Sequence, residues 1–229
     1  MEKRIILLHG WGATAGKLEL LELELKKQGW ETMNLNLPGF GLAPPDRAWN
    51  VGDYVSYVSQ QAGLKWGNKT WMVFGHSFGG RVAIKLAVGG KVTAVVLCAP
   101  GGLSRSIGAR RIVFWILAKL GKLLGLQKYK WLLYKLAREH DYEQTTGVMR
   151  ETFKLVLEEN LRSELDKITV PTLILWGEQD RVVPKADGIM AKEKITTSKL
   201  VLIANQGHRL PYEQPEKVAL EINTWYQSL

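Results

Sequence analysis

The chain has 229 residues, 46% hydrophobic and 23% charged, which excludes a disordered or fibrous protein and suits one large domain or a core with a modest insertion. Lys and Arg number 31 against 22 Asp and Glu, a formal charge of +9, and the single cysteine, Cys98, excludes a disulfide framework or a multi-cysteine zinc site. The apolar run before His9 is too short for a signal-peptide core, and no run approaches the roughly 18 apolar residues of a membrane span, so the sequence reads as that of a soluble cytoplasmic protein.

Residues 4–8 form an aliphatic run that predicts a buried strand ending at His9-Gly10. Leu18, Leu21 and Leu25 recur at helical spacing, and Gly29 stops that helix. Residues 31–37 are the next strand, closed by Pro38-Gly39 and a Gly/Pro-rich loop through Pro45. Val51, Tyr54, Val55, Val58 and Ala62 then share one helical face. Residues 70–74 predict a third strand, which runs into Gly75-His76-Ser77-Phe78-Gly79-Gly80. Val82, Ala83, Leu86 and Ala87 continue at helical spacing to Gly89-Gly90, and residues 92–97 are a fourth strand.

From residue 101 to 168 the alternation stops. Three amphipathic stretches succeed one another: Val113/Ile116/Leu117/Leu120/Leu124, Tyr129/Leu132/Leu133/Leu136 and Met149/Phe153/Val156/Leu157. This segment also carries the charge. Arg105, Arg110, Arg111, Lys119, Lys122, Lys128, Lys130, Lys135 and Arg138 are opposed only by Glu139, so the rest of the chain is nearly neutral. An all-helical insertion here reads as a lid over the carboxyl edge of a sheet, where open α/β sheets bind ligands. Residues 170–176 and 199–203 restore the strands, separated by a helix opening near Pro184, and a last helix covers about 214–225. The expected architecture is α/β: a mostly parallel sheet of about six strands with helices on both faces, its core from residues 1–100 and 169–229 and its lid from 101–168.

Gly75-His76-Ser77-Phe78-Gly79 fits G-x-S-x-G at a strand-to-helix junction. A sharp turn there projects the Ser77 hydroxyl above the sheet, and the flanking glycines relieve crowding around a strained nucleophile. A serine needs a base within hydrogen-bond reach. His208, in the loop after the last strand, is placed to reach across the sheet edge. His9 reads as a loop-organising hydrogen-bonder, His76 as a turn residue pointing away from Ser77, and His140 as a surface residue. The base needs an acceptor to fix its tautomer. Asp180, after the penultimate strand, suits that role, with Glu178 its close rival. Arg81 reads as structural, although it could hold a carboxylate, and Trp71, Trp176, Trp225 and Cys98 read as packing residues.

The ordered motifs His9-Gly10-Trp11-Gly12, Leu37-Pro38-Gly39-Phe40-Gly41, Gly75-His76-Ser77-Phe78-Gly79-Gly80, Gly177-Glu178-Gln179-Asp180-Arg181-Val182-Val183-Pro184 and Gly207-His208 span nearly the whole chain apart from the lid. In these the sequence resembles the α/β-hydrolase superfamily, in its small lid-bearing esterase-like branch. The resemblance implies Ser77 as nucleophile, His208 as base, Asp180 as orienting acid, and an oxyanion hole from the Trp11 and Phe78 backbone N–H groups. It also marks two departures. Three residues before Arg4 leave no room for the hairpin that often opens the family, so the first strand is expected to need other edge protection. Asn36 stands where many relatives carry an aspartate, outside the triad, and hydrolysis is expected to survive that change.

The function expected is that of a serine esterase acting on a carboxylic ester or thioester through an acyl-enzyme, with no metal and no organic cofactor. Phe114, Trp115, Trp131 and Tyr134 of the lid are candidate substrate-binding residues. A carbon–carbon bond hydrolase of the same fold is the alternative chemistry. The non-enzymatic alternative is an interaction protein whose basic lid binds an anionic membrane surface or an acidic partner such as a carrier protein. No nucleic-acid motif accompanies the basic segment, and nothing in the sequence fixes the oligomeric state.

Overall fold

The computed structural model describes residues 3–104 and 147–229, so Phe114, Trp115, Trp131, Tyr134, His140 and the basic segment lie outside the described residues. Six strands, β1 (Arg4–Leu8), β2 (Glu31–Leu35), β3 (Met72–His76), β4 (Val95–Cys98), β5 (Thr172–Gly177) and β6 (Ser198–Ile203), form one sheet in the order β2-β1-β3-β4-β5-β6. Every pairing is parallel. The α-helices among the described residues are α1 (Glu19–Lys27), α2 (Val51–Trp66), α3 (Phe78–Val88), α4 (Gly147–Glu158), α5 (Lys185–Lys194), α6 (Leu210–Glu213) and α7 (Pro215–Gln227).

The aliphatic runs become strands because alternate residues serve two separate cores. Ile6, Leu8, Val73, Val95, Leu97, Ile174 and Trp176 pack on one face with residues of α2, α3 and α5. Ile5, Leu7, Met72, Phe74, Val96, Leu173 and Leu175 pack on the other with α1 and α7. A strand apolar on both faces is stable only where helices cover both sides, which is the parallel arrangement. Burying one such side chain is worth about 2 kcal/mol. Trp71, Trp176, Trp225 and Cys98 are buried in these cores.

The strand order corrects one expectation. β1 lies between β2 and β3 and needs no edge protection; the exposed edges belong to β2 and β6. Beside β2, Lys65 Nζ donates to the Thr32 carbonyl (2.8 Å) and the Tyr57 hydroxyl to the Asn36 carbonyl (3.4 Å), which blunts the edge with polar side chains. Element boundaries also shift. β3 begins two residues later than predicted and takes in Gly75 and His76, because those residues pair with Leu97 and Cys98 of β4. The following helix starts at Phe78, directly after Ser77. A capping box opens α2: Asn50 Oδ1 accepts the Asp53 N–H (3.1 Å), and Asp53 Oδ2 accepts the Asn50 N–H (2.9 Å).

The third predicted lid stretch is α4. Met149 and Val156 are buried as expected, whereas Leu157 is 37% exposed and Thr152 takes the inner face. There its hydroxyl accepts the Trp49 N–H (3.0 Å). The chain returning from α4 is tied to the chain leaving β4 by the Leu161 N–H, which donates to the Gly102 carbonyl (2.9 Å). Among the described residues, no helix is long and apolar enough to cross a membrane.

Candidate active site

The connection from β1 runs to one side of it, to β2, and the next crosses back to β3 on the other. The carboxyl ends of β1 and β3 therefore bound the crevice at which such sheets bind ligands. His9-Gly10-Trp11 follows β1, and Ser77 follows β3. Ser77 has φ 52° and ψ −106°, a conformation that costs a non-glycine residue about 1–3 kcal/mol and persists because its surroundings fix it. Its N–H donates to the Cys98 carbonyl (3.1 Å), and its own carbonyl accepts the Gly80 (3.1 Å) and Gly101 (3.0 Å) N–H groups. The motif glycines are required by close approach. A Cβ on Gly75 would lie 2.3 Å from the Gly79 carbonyl oxygen, and one on Gly79 would lie 2.3 Å from that of Leu8.

Asp180 follows β5 in a loop closed on itself. Its Oδ1 accepts the N–H groups of Val182 (2.8 Å) and Val183 (2.9 Å), while Trp176 Nε1 donates to the Val183 carbonyl (3.1 Å). Oδ2 is left for His208, whose Nδ1 donates to it at 2.8 Å. The Asp180 side chain is fully buried, whereas Glu178 is exposed. Burial and the hydrogen bond separate the two carboxylates that the sequence left as rivals.

The first loop is organised by His9. Its Nδ1 donates to the Gly10 carbonyl (2.8 Å) and its Nε2 accepts the Leu37 N–H (3.2 Å), which fixes one neutral tautomer and joins the first loop to the second. Burial holds the His9 pKa below the ordinary range for histidine. The Ala13 N–H also donates to the Gly10 carbonyl (3.2 Å). No peptide bond is cis among the described residues, so the Trp11 N–H points opposite that anchored carbonyl. The Phe78 N–H opens α3, where the first amides of a helix have no intrahelical acceptor.

The side chains of these two residues meet as well. The Trp11 ring lies 4.7 Å from Phe40, 5.2 Å from Phe78 and 4.7 Å from Phe153 of α4, between ring centres. In the sequence Phe40 stands in the Leu37-Pro38-Gly39-Phe40-Gly41 motif and Phe153 on the third amphipathic lid stretch, and nothing local marks their meeting beside Trp11. Arg81 is structural. Buried beneath Gly101-Gly102, it donates to the carbonyls of Val156 (2.6 Å) and Glu159 (2.9 Å) at the end of α4, and burial lowers its pKa to about 10.

His76 is the last residue of β3 rather than a turn residue, and its side chain reaches the loop that carries His208. Its ring lies 4.9 Å from that of His208, and it hydrogen-bonds both to the Tyr212 hydroxyl (2.9 Å) and to the His208 carbonyl (2.8 Å). Sequence reasoning missed Tyr212. Its only signal was its place four residues after His208, one turn along the following helix.

A doubly covered parallel sheet with its serine turn at the switch point is the fold of the α/β hydrolases. The chain belongs to the Alpha/beta hydrolase family, whose model matches residues 5–221. It is 29% identical over 242 residues to the AB hydrolase superfamily protein YisY of Bacillus subtilis (strain 168), covering 93% of this chain and 88% of that protein. A pimeloyl-[acyl-carrier protein] methyl ester esterase of Neisseria meningitidis serogroup C is 25% identical over 227 residues, covering 90% of this chain and 86% of its own. Among solved structures, the meta-cleavage product hydrolase CumD of Pseudomonas fluorescens IP01 shares the fold with a TM-score of 0.71 at 18% identity, over 99% of this chain and 91% of its own.

Proposed function

We propose that the chain hydrolyses a carboxylic ester or thioester of a small molecule through an acyl-enzyme on Ser77. The observation that carries this reading is the buried Asp180 carboxylate, held by two backbone N–H groups and accepting the Nδ1 proton of His208. An imidazole that donates from Nδ1 presents a bare Nε2 when neutral, which is the form that takes a proton from a serine hydroxyl. Ser77 attacks the carbonyl as His208 takes that proton. The N–H groups of Trp11 and Phe78 stabilise the oxyanion, and the alcohol or thiol leaves with the proton returned by His208. Water then repeats the sequence on the acyl-enzyme. Removal of one oxyanion donor typically costs about 3 kcal/mol of barrier.

The aromatic surface formed by Trp11, Phe40, Phe78 and Phe153 favours an apolar acyl group beside the nucleophile. The Neisseria relative is named as an esterase of an acyl group on a carrier protein, which favours ester over carbon–carbon cleavage. An acidic carrier or an anionic membrane would suit the basic segment of residues 105–140. The direct test is covalent labelling with a fluorophosphonate, beside a chain-length series of p-nitrophenyl esters. Labelling at Ser77 with ester turnover, both abolished in Ser77→Ala, is the expected result. A folded protein that neither labels nor turns over any ester overturns the reading, and turnover of a vinylogous diketone in its place assigns carbon–carbon hydrolysis.

A further inference from the structure

We infer that Tyr212 and His76 form a positioning pair that locks the first loop, at Gly10, to the turn that carries His208. This rests on the reading of Ser77 and His208 proposed above and adds two residues to it.

The argument is a proton inventory. His76 Nε2 lies 2.8 Å from the His208 carbonyl oxygen, which can only accept, so Nε2 carries the proton. The imidazole is fully buried, and burial together with the neighbouring His208 pushes its pKa down to about 3, so it holds no second proton near neutrality. Its Nδ1 is therefore a bare acceptor. The group 2.9 Å from it is the Tyr212 hydroxyl, which must donate. Burial raises the Tyr212 pKa to about 12, so the phenol keeps the proton this requires. The Tyr212 oxygen in turn accepts the Gly10 N–H at 3.2 Å. One directed chain results: Gly10 N–H to Tyr212 Oη, Tyr212 O–H to His76 Nδ1, and His76 Nε2–H to the His208 carbonyl. No member can reverse without setting donor against donor.

Packing independently seats the first loop on the same two residues. A Cβ added to Gly10 would lie 3.2 Å from His76 Nδ1, 3.4 Å from the Ser77 Cβ and 3.4 Å from the Tyr212 oxygen. The loop backbone therefore seats directly on the pair and on the nucleophile. Gly10 is hydrogen-bonded at both ends, its N–H to Tyr212 and its carbonyl to His9 and Ala13. The following peptide, which bears the Trp11 N–H, is thereby fixed relative to the residue that carries the base. The neutral His76 also spares the His208 imidazolium formed during turnover a like charge at 4.9 Å between rings.

Tyr212→Phe removes one oxygen and keeps the ring. The expected result is a fall in kcat of about 10–100-fold on p-nitrophenyl esters with KM within about twofold, since misplacement near 1 Å costs up to about 100-fold. The rate of fluorophosphonate labelling should fall in parallel. His76→Gln, which keeps a donor for the His208 carbonyl, should lose less than His76→Leu, which has none. Imidazole ¹⁵N spectra should show His76 protonated at Nε2 with a bare, hydrogen-bonded Nδ1 whose resonance moves in Tyr212→Phe. Unchanged kcat in Tyr212→Phe overturns the inference while leaving the serine reading intact. If the wild type neither labels nor hydrolyses esters, it is the serine reading that fails. The ¹⁵N spectra then still decide the hydrogen-bonded pair, and an Nδ1-protonated His76 overturns it.

Discussion

Asp180→Asn is the most discriminating substitution in this chain, because the surrounding donors dictate how an amide must sit. Oδ1 accepts two backbone N–H groups, from Val182 at 2.8 Å and Val183 at 2.9 Å. An asparagine that turned its NH2 toward them would set three donors against one another in a fully buried site, so its oxygen takes that position. The NH2 then occupies the place of Oδ2, 2.8 Å from His208 Nδ1. It can only donate there, which forces the proton of neutral His208 onto Nε2, the nitrogen that accepts from Ser77 in the proposed mechanism. Locking the wrong tautomer in a Ser-His-Asp arrangement costs about 10⁴-fold in kcat, or about 5.5 kcal/mol of barrier. The backbone hydrogen bonds remain, so the fold should survive with a loss of about 1–2 kcal/mol. The assay is steady-state hydrolysis of a p-nitrophenyl ester, with thermal unfolding alongside and Glu178→Gln as a control expected within about twofold of wild type. A folded Asp180→Asn protein that keeps more than about a tenth of wild-type kcat refutes the tautomer argument.

Three further outcomes follow from the packing and from the buried histidines. Gly79→Ala places a Cβ 2.3 Å from the Leu8 carbonyl oxygen and 2.7 Å from that of His9, so α3 must shift, and a loss near the top of the usual 1–3 kcal/mol range for overpacking is expected in urea denaturation. Arg81→Met leaves the Val156 and Glu159 carbonyls without their buried donor; a loss of about 3 kcal/mol and faster proteolysis within α4 should be measurable, and wild-type behaviour in both would count against a clamp. His76 has a folded pKa of about 3 against an ordinary value of 6.5, so the unfolded chain binds the proton that the folded chain refuses. Its contribution is therefore present above pH 6.5 and lost as pH falls toward 3, by up to about 1.4 kcal/mol per pH unit. His9, whose pKa is also lowered, acts in the same direction. Urea midpoints measured from pH 7 to 4 should fall, and His76→Gln should flatten that fall.

Much of the site was legible because strand ends are local. Five of the aliphatic runs mark strands at nearly the observed boundaries, and Ser77, Asp180 and His208 each stand just past one. The resemblance pointed to Asp180 rather than Glu178, but the physical reason for that choice was not legible. A single residue separates them, and what divides them is a loop that buries one and exposes the other. The partners of His76 were not legible for a related reason. Its partners are a hydroxyl 136 residues away and a carbonyl 132 residues away, beyond any local pattern.

Composition, periodicity and the serine motif by themselves determined an α/β chain with Ser77 on a strand-to-helix turn. These are properties of the backbone and of residues a few positions apart, and the hydrophobic effect together with glycine sterics imposes them locally. Only the tertiary structure decided that β2 rather than β1 is an edge, what buries Asp180 while Glu178 is exposed, and which groups meet from Gly10 through Tyr212 and His76. Those depend on side chains brought together across the sheet, where burial removes water as an alternative partner and each donor is left with one acceptor.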